Sequence, residues 1–126
     1  MAKKKLLLVG ESCVHTAYHV KGWDAFSSVT FHLGADPLVK ALADSPFELT
    51  YMKAHDAATD FPSSLKGLQQ YDAILLSDIG SNTLLLHPDV WLNGNTVPNR
   101  LKLIREYTEA GGGLMMIGGY FSFQGI

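Results

Sequence analysis

The sequence predicts an α/β fold built on a mostly parallel sheet, and three observations lead there. Apolar runs at Leu6–Val9, Ala73–Leu76 and Leu114–Ile117 are nearly continuous instead of alternating, as strands buried on both faces are. Between them lie segments with apolar residues at helical spacing, opened at Asp36-Pro37 and Pro98 and closed at Pro46 and Gly111. The last run is bracketed by glycines, Gly111-Gly112-Gly113 before it and Gly118-Gly119 after it, which suits a helix-ending turn, a strand and then a sharp bend.

Lys5 to Gly10 is the first strand, ending in Gly10-Glu11-Ser12-Cys13. Val14 to Ala35 shows no sustained period and reads as a long loop with a short extended piece at Val29–Leu33. Asp36 as N-cap and Pro37 at the first helical position open a helix whose Leu38, Val39, Leu42 and Ala43 share a face, and Pro46 stops it. Phe47 to Met52 alternates as a second strand closing at Ala54-His55-Asp56. Asp60 and Pro62 start a short helix carrying Leu65 and Leu68 inward, and Asp72 to Asp78 is the third strand. Ile79 to Pro98 reads as a second long connection. Pro98 then opens a helix with Leu101, Ile104 and Tyr107 on one face, Gly111 closes it, and Leu114–Ile117 is the fourth strand.

The order βαβαβαβ implies right-handed crossovers with helices on the sheet faces. A four-stranded sheet whose last strand lacks a following helix leaves an edge or face uncovered. The expectation is therefore that residues 1–126 form a single partial domain, incomplete at the C-terminus, or one that pairs with a second copy as a homo-oligomer.

Composition narrows the function classes. With 126 residues, 47% hydrophobic and 17% charged, the chain matches a globular domain able to bury a modest core. A net charge of −2, with Lys3-Lys4-Lys5 the only basic cluster, gives no basis for nucleic-acid or anionic-membrane binding. The Leu6–Val9 run is too short for a signal-peptide core or a membrane span. One cysteine, Cys13, excludes an intramolecular disulfide framework and agrees with a cytoplasmic location. No cofactor and no metal are expected.

Parallel strands point their carboxyl ends to one side, so Glu11-Ser12-Cys13, His55-Asp56, Asp78 to Asn82 and Gly118 to Ser122 should converge there, the usual place for a small-molecule ligand. The ligand-binding candidates are Ser12, His55, Asp78, Asn82, Gly118, Gly119 and Tyr120. The catalytic candidates are weaker. Cys13 is a potential thiolate nucleophile if His15 or His55 serves as its base, and a small packed thiol otherwise. Ser122 is a hydroxyl without a Gly-x-Ser-x-Gly elbow, which favours turn formation. Glu11 and Asp78 suit either acid–base work or the capping of loop amides. Gly118-Gly119 offers backbone amides to an anion, or simply close packing. His15 and His19 are four residues apart, but in a loop that spacing does not make a zinc pair, and His32 and His87 add no metal motif. Trp23 and Trp91 lie in the two long loops and suit stacking on a sugar or base, or, more ordinarily, anchoring each loop to the sheet.

These blocks resemble the class I glutamine amidotransferase-like superfamily, and within it the uncharacterised glutamine amidotransferase-like branch related to trehalose-utilisation-like proteins. The resemblance rests on Leu7-Leu8-Val9-Gly10-Glu11-Ser12, Gly34-Ala35-Asp36-Pro37-Leu38, Ala54-His55-Asp56-Ala57, Asp60-Phe61-Pro62 and Tyr71-Asp72, and most specifically on Leu76-Ser77-Asp78-Ile79-Gly80-Ser81-Asn82-Thr83-Leu84 and the block from Gly111 to Gly125. It implies a flavodoxin-like three-layer sandwich of which the chain looks like the amino-terminal half. Glutamine-hydrolysing members carry a cysteine in a Gly-x-Cys-x-Gly elbow after the fourth strand, with His and Glu partners further along. Aligned on Gly118, Tyr120 takes the nucleophile's place and Ser122 that of the second elbow glycine. A phenol, with a pKa near 10, does not replace a thiolate in amide hydrolysis. The expectation is a small-ligand-binding or interaction domain without glutaminase activity. The alternatives are a hydrolase or transferase, on a carbohydrate-related substrate, using Cys13, and a structural assembly module.

Overall fold

The computed structural model describes residues 2–119 and 121–123. Its elements run β1 (Lys4–Gly10), β2 (Ser12–Lys21), β3 (Asp24–Leu33), α1 (Asp36–Leu42), β4 (Phe47–Met52), α2 (Ala54–Asp60), α3 (Leu65–Leu68), β5 (Ala73–Ser77), α4 (Ser81–Leu85), α5 (Pro88–Asn93), α6 (Arg100–Glu109) and β6 (Gly113–Ile117). Four strands form a parallel sheet in the order β4-β1-β5-β6. Numbered among themselves, the parallel strands run second, first, third, fourth, the beginning of a flavodoxin-like order. The predicted α/β fold with a mostly parallel sheet is therefore the observed one, and its four strands are those read from the sequence.

The core explains this arrangement. Leu7 and Val9 of β1 and Ile74 and Leu76 of β5 meet Ala57 and Phe61 of the α2 region, Leu68 of α3, Leu84 of α4 and Ile104 and Tyr107 of α6. The parallel register sets Leu6 and Leu8 of β1 beside Leu49 and Tyr51, on the opposite face, where α1 lies against β4. That second layer does not extend over β5 and β6: Met115 is exposed, and Leu6, Phe47, Ala73, Leu75 and Leu114 border an open apolar hollow. Two buried side chains tie the helical layer together. Tyr107 donates its hydroxyl to the Tyr71 carbonyl at 3.0 Å, and the Arg100 guanidinium reaches the last carbonyls of α2. Burial, with a lesser contribution from Asp72, pushes the Tyr107 phenol above its ordinary value.

Several local expectations are corrected. Val14 to Ala35 is not a loop: it is most of an antiparallel ribbon in which β2 and β3 pair from Ser12↔Leu33 to Lys21↔Asp24. Gly22, at φ +62, takes the first central position of its two-residue turn, where a type II′ turn needs glycine. His15 and His19 consequently sit on a strand. Ala54-His55-Asp56 begins α2 instead of closing a strand, and the next helix starts after Ser64, whose hydroxyl accepts from Gly67 N at 3.1 Å, not at Asp60-Pro62. The Ile79–Pro98 connection contains α4 and α5, and α6 starts after Asn99, whose side chain caps Lys102 N at 3.0 Å. Asp36 is the first residue of α1 and Ala35 its cap. Neither tryptophan anchors a loop: Trp23 is fully exposed at the ribbon turn and Trp91 is 66% exposed on α5. Gly111, at φ +95 one residue past the Ala110 cap of α6, is the left-handed helix terminator that the sequence predicts.

Candidate functional site

The sheet reverses its winding between β1 and β5, since chain order runs outward from β1 in both directions. That topological switch point is where an open α/β sheet leaves a crevice beyond its strand ends. The residues leaving those two strands are Glu11 and Asp78, and both have left-handed backbones, at φ 48 and 46. Such conformations cost about 1–3 kcal/mol each in residues other than glycine, so the neighbouring backbone must hold them.

The holding contacts are specific. Glu11 donates its amide to the Ser77 carbonyl at 3.2 Å, and its own carbonyl accepts from Gly34 N and from the Tyr51 hydroxyl, each at 2.7 Å. The buried Ser77 hydroxyl donates to the Glu11 carboxylate, fixing its direction. Gly10, at φ +113, lies so close to the Ser77 carbonyl that no side chain fits there. Asp78 accepts from the Phe121 amide at 3.1 Å, and a Cβ on Gly119 would strike its carboxylate. The two acids thus belong to one framework spanning the ends of β1, β5 and the turn after β6. Burial, then the charges of Glu11 and Asp36, raises the pKa of Tyr51, which marks the negative field at this corner.

A cavity of about 120 Å³ opens here, lined by Glu11, Ser12, Cys13, His32, Gly34 and Asp78. Ser12 uses its hydroxyl to accept the Ala54 amide at 2.8 Å, docking the start of α2 to the ribbon root. Cys13 is exposed, with its Sγ 3.0 Å from His15 Nε2, and the His15 and His32 rings lie 4.5 Å apart. Among the described residues no group of three or more His, Cys, Asp and Glu is placed to hold a metal ion, and no helix is long and apolar enough to cross a membrane.

Of the expected site residues, Glu11, Ser12, Cys13 and Asp78 line this cavity, and Gly119 buttresses Asp78. His55 does not line it: exposed at the start of α2, it lies 3.4 Å from Asp56 and edge-on to Phe31 at 5.3 Å. Asn82 lies in the first turn of α4, and Gly118 packs under the Phe123 ring. Ser122 borders a separate, apolar cavity of about 350 Å³ with Leu76, Leu84, Ile104 and Met116, and its buried hydroxyl has no partner among the described residues. Tyr120 lies outside the described residues. Sequence reasoning missed Ser77, His32, Gly34 and Tyr51. A signal for His32 was available, because residues 12–33 alternate on both sides of Gly22-Trp23, and hairpin register places His32 opposite Cys13.

Comparison with known proteins gives a family and two similar solved structures. The model of a family described as “Putative glutamine amidotransferase” matches residues 5–126. Two solved structures are similar over nearly the whole chain. The cytoplasmic protein STM1381 from Salmonella typhimurium LT2 is 46% identical, with a TM-score of 0.90 over 97% of this chain and 50% of its own. The cytoplasmic protein STM3548 from Salmonella typhimurium is 43% identical, with a TM-score of 0.89 over 95% of this chain and 49% of its own. The chain thus spans about half the length of these solved relatives. Among curated proteins, none is significantly similar.

Proposed function

The chain belongs to the family described as “Putative glutamine amidotransferase”, and from that membership we propose that this region binds a small amine- or hydroxyl-bearing ligand at the ends of β1 and β5, without glutaminase activity. The observation that carries this reading is the pair of carboxylates, Glu11 and Asp78, at one cavity on left-handed backbones. Strain of that kind persists where a fixed geometry is used, and acceptor-only carboxylates select ligands that donate hydrogen bonds or carry positive charge. A volume of about 120 Å³ admits a head group on the scale of about four waters, not a long side chain. Against glutaminase stands the sequence Gly118-Gly119-Tyr120-Phe121-Ser122, which carries no cysteine; Cys13 is on the ribbon root. The names of the two solved relatives favour a cytoplasmic setting.

Calorimetric titration with small primary amines and polyols tests the reading. One class should bind, and Glu11→Gln and Asp78→Asn should each weaken it about tenfold or more, the loss of one charge-assisted hydrogen bond. Binding indifferent to both variants overturns the assignment. Ammonia release from glutamine should stay at background, and release that disappears in Tyr120→Phe refutes the non-glutaminase reading.

The 3.0 Å approach of His15 to Cys13 favours a second reading, a hydrolase or transferase with Cys13 as nucleophile and His15 as its base, acting on a carbohydrate-related substrate. Iodoacetamide should then label Cys13 at neutral pH faster than it labels free cysteine, and His15→Ala should remove the excess. An inert Cys13 eliminates this reading.

A further inference from the structure

We propose that the β2–β3 ribbon is a self-association arm, its apolar face seated against the same face of a second copy of this chain. Antiparallel partners share a face, so the register sorts the ribbon's side chains into two sets. One face carries Leu33, Val14, Phe31, Val29, Tyr18 and Val20, with Ser12, Thr16 and Ser27 between them. The other carries Cys13, His15, His32, Ser28, His19 and Lys21, with a single large apolar residue, Phe26, stacked on His19. This is the binary pattern of a sheet with one buried face, yet every strand residue from Cys13 to Lys21 and from Asp24 to Leu33 is exposed, and the six apolar residues are 41–70% accessible. Only the root is covered, where Ser12 and Phe31 meet the start of α2. A two-stranded ribbon is marginal in water by itself and needs a third layer on its apolar face.

Size and charge point to a copy of the same chain as that layer. The six side chains expose roughly 700 Å² together, close to the 800 Å² or so per partner of a standard stable interface. The apolar face holds no charged residue, and the ribbon's two charges, Lys21 and Asp24, oppose each other at the tip. A surface without net charge offers nothing to an ionic partner but fits itself, as a two-fold interface requires. The ribbon is also a retained part of the fold: at most about 5% of this chain falls outside the match to one solved relative, far less than two ten-residue strands.

With the arms antiparallel, Val20 and Tyr18 of one copy lie over Val14, Phe31 and Leu33 of the other. The tip of each arm then reaches the root of its partner, which gives Trp23, fully exposed here, a surface to cover. That root borders the cavity lined by Glu11, Ser12 and Cys13.

Sedimentation velocity of the intact chain across low to high micromolar concentrations tests this. The wild type should form a dimer. Val29→Glu, on the apolar face, should weaken it at least about a hundredfold, because the dimer would bury two unpaired charges. Ser28→Glu, next to it on the polar face, should leave the dimer intact and controls for ribbon folding. In a Trp91→Phe background, Trp23 emission should shift to the blue as the dimer forms. A wild type that stays monomeric throughout, as it would if another part of a longer chain or an unrelated partner covered the face, overturns the proposal. So does a Val29→Glu variant that dimerises like the wild type, or Trp23 emission independent of concentration.

Discussion

Arg100 should be the most costly single polar side chain to remove from this fold. It is fully buried at the first position of α6, and among the described residues no carboxylate pairs with it. Its guanidinium instead donates to three carbonyls in the last turn of α2: Ala57 at 3.2 Å, Ala58 at 2.8 Å and Thr59 at 3.2 Å. Its Nε donates to Ser63 Oγ at 3.2 Å. Burial lowers its pKa below the usual guanidinium value, with Asp60 opposing, and it stays charged at any physiological pH. Arg100→Met keeps most of the buried stem and removes all four donors. Each bond from a charged donor is worth about 1.5–3 kcal/mol net, and relief of the guanidinium's desolvation returns several kcal/mol, so a loss of about 3 kcal/mol is expected. For a domain of this size that lowers Tm by about 10–15 °C. Arg100→Lys should recover only part, since one ammonium cannot reach three carbonyls in a planar fork. Urea unfolding followed by circular dichroism reads both variants. An Arg100→Met protein within about 0.5 kcal/mol of wild type at unchanged m-value refutes the reasoning, because it would mean α2 holds its place without these bonds.

Other predictions follow from the same framework. Asp72 accepts Lys4 Nζ and Lys5 N, each at 2.8 Å, and the Lys4 hydrogen bond, more than the Lys5 amide, holds its carboxyl below the ordinary 3.8. A depressed carboxyl stabilises the fold above its unfolded value and loses that contribution as pH falls through the folded one, so Asp72→Asn should lower Tm at neutral pH and leave it unchanged in strong acid. Lys4 is raised from 10.5 by the same pair, so its share should vanish only as pH rises past that value. Gly10→Ala should cost about 3 kcal/mol or more, since the new methyl meets the Ser77 carbonyl. Gly94→Ala, also left-handed but facing open space, should cost only about 1 kcal/mol. Paired thermal melts check this, and equal losses would refute the steric argument.

What the sequence made legible follows from where burial imposes a pattern. The parallel strands are enclosed on both sides, so Leu6–Val9 and Ala73–Leu76 read as apolar runs with few alternatives. Among the described residues the ribbon has no sheet behind it, and its other face mixes His, Ser, Thr and Ala with Cys13, Lys21, Asp24 and Phe26, so Val14, Tyr18 and Val20 look like scattered apolar residues until paired with Val29, Phe31 and Leu33. Its Gly-Trp turn also lacks the usual Asn-Gly signal. Helices α4 and α5 have five and six residues, too few for a period to show. At the site, Glu11 and Asp78 were legible because they directly follow strands. His32, Ser77 and Tyr51 reach it through pairing, and pairing is not written in local order.

The position of Ser122 bears on what chemistry the turn after β6 can still do. If the serine took over from the absent cysteine, its hydroxyl would need a base within hydrogen-bond reach and donors for the charge that develops. It instead faces Leu76, Leu84, Ile104 and Met116, where an alkoxide would be desolvated without compensation, and no described group accepts its proton. The polar groups have gathered one and two strands away, where Ser77 orients Glu11 and Phe121 N holds Asp78. Among the described residues, the turn after β6 contributes to that cluster through backbone, by the Phe121 amide and by Gly119, where a side chain would displace Asp78. Among the described residues, the acidic cavity therefore draws on the backbone of this turn and not on its side chains. On the proposed reading, the acidic cavity binds its ligand without a nucleophile from this turn.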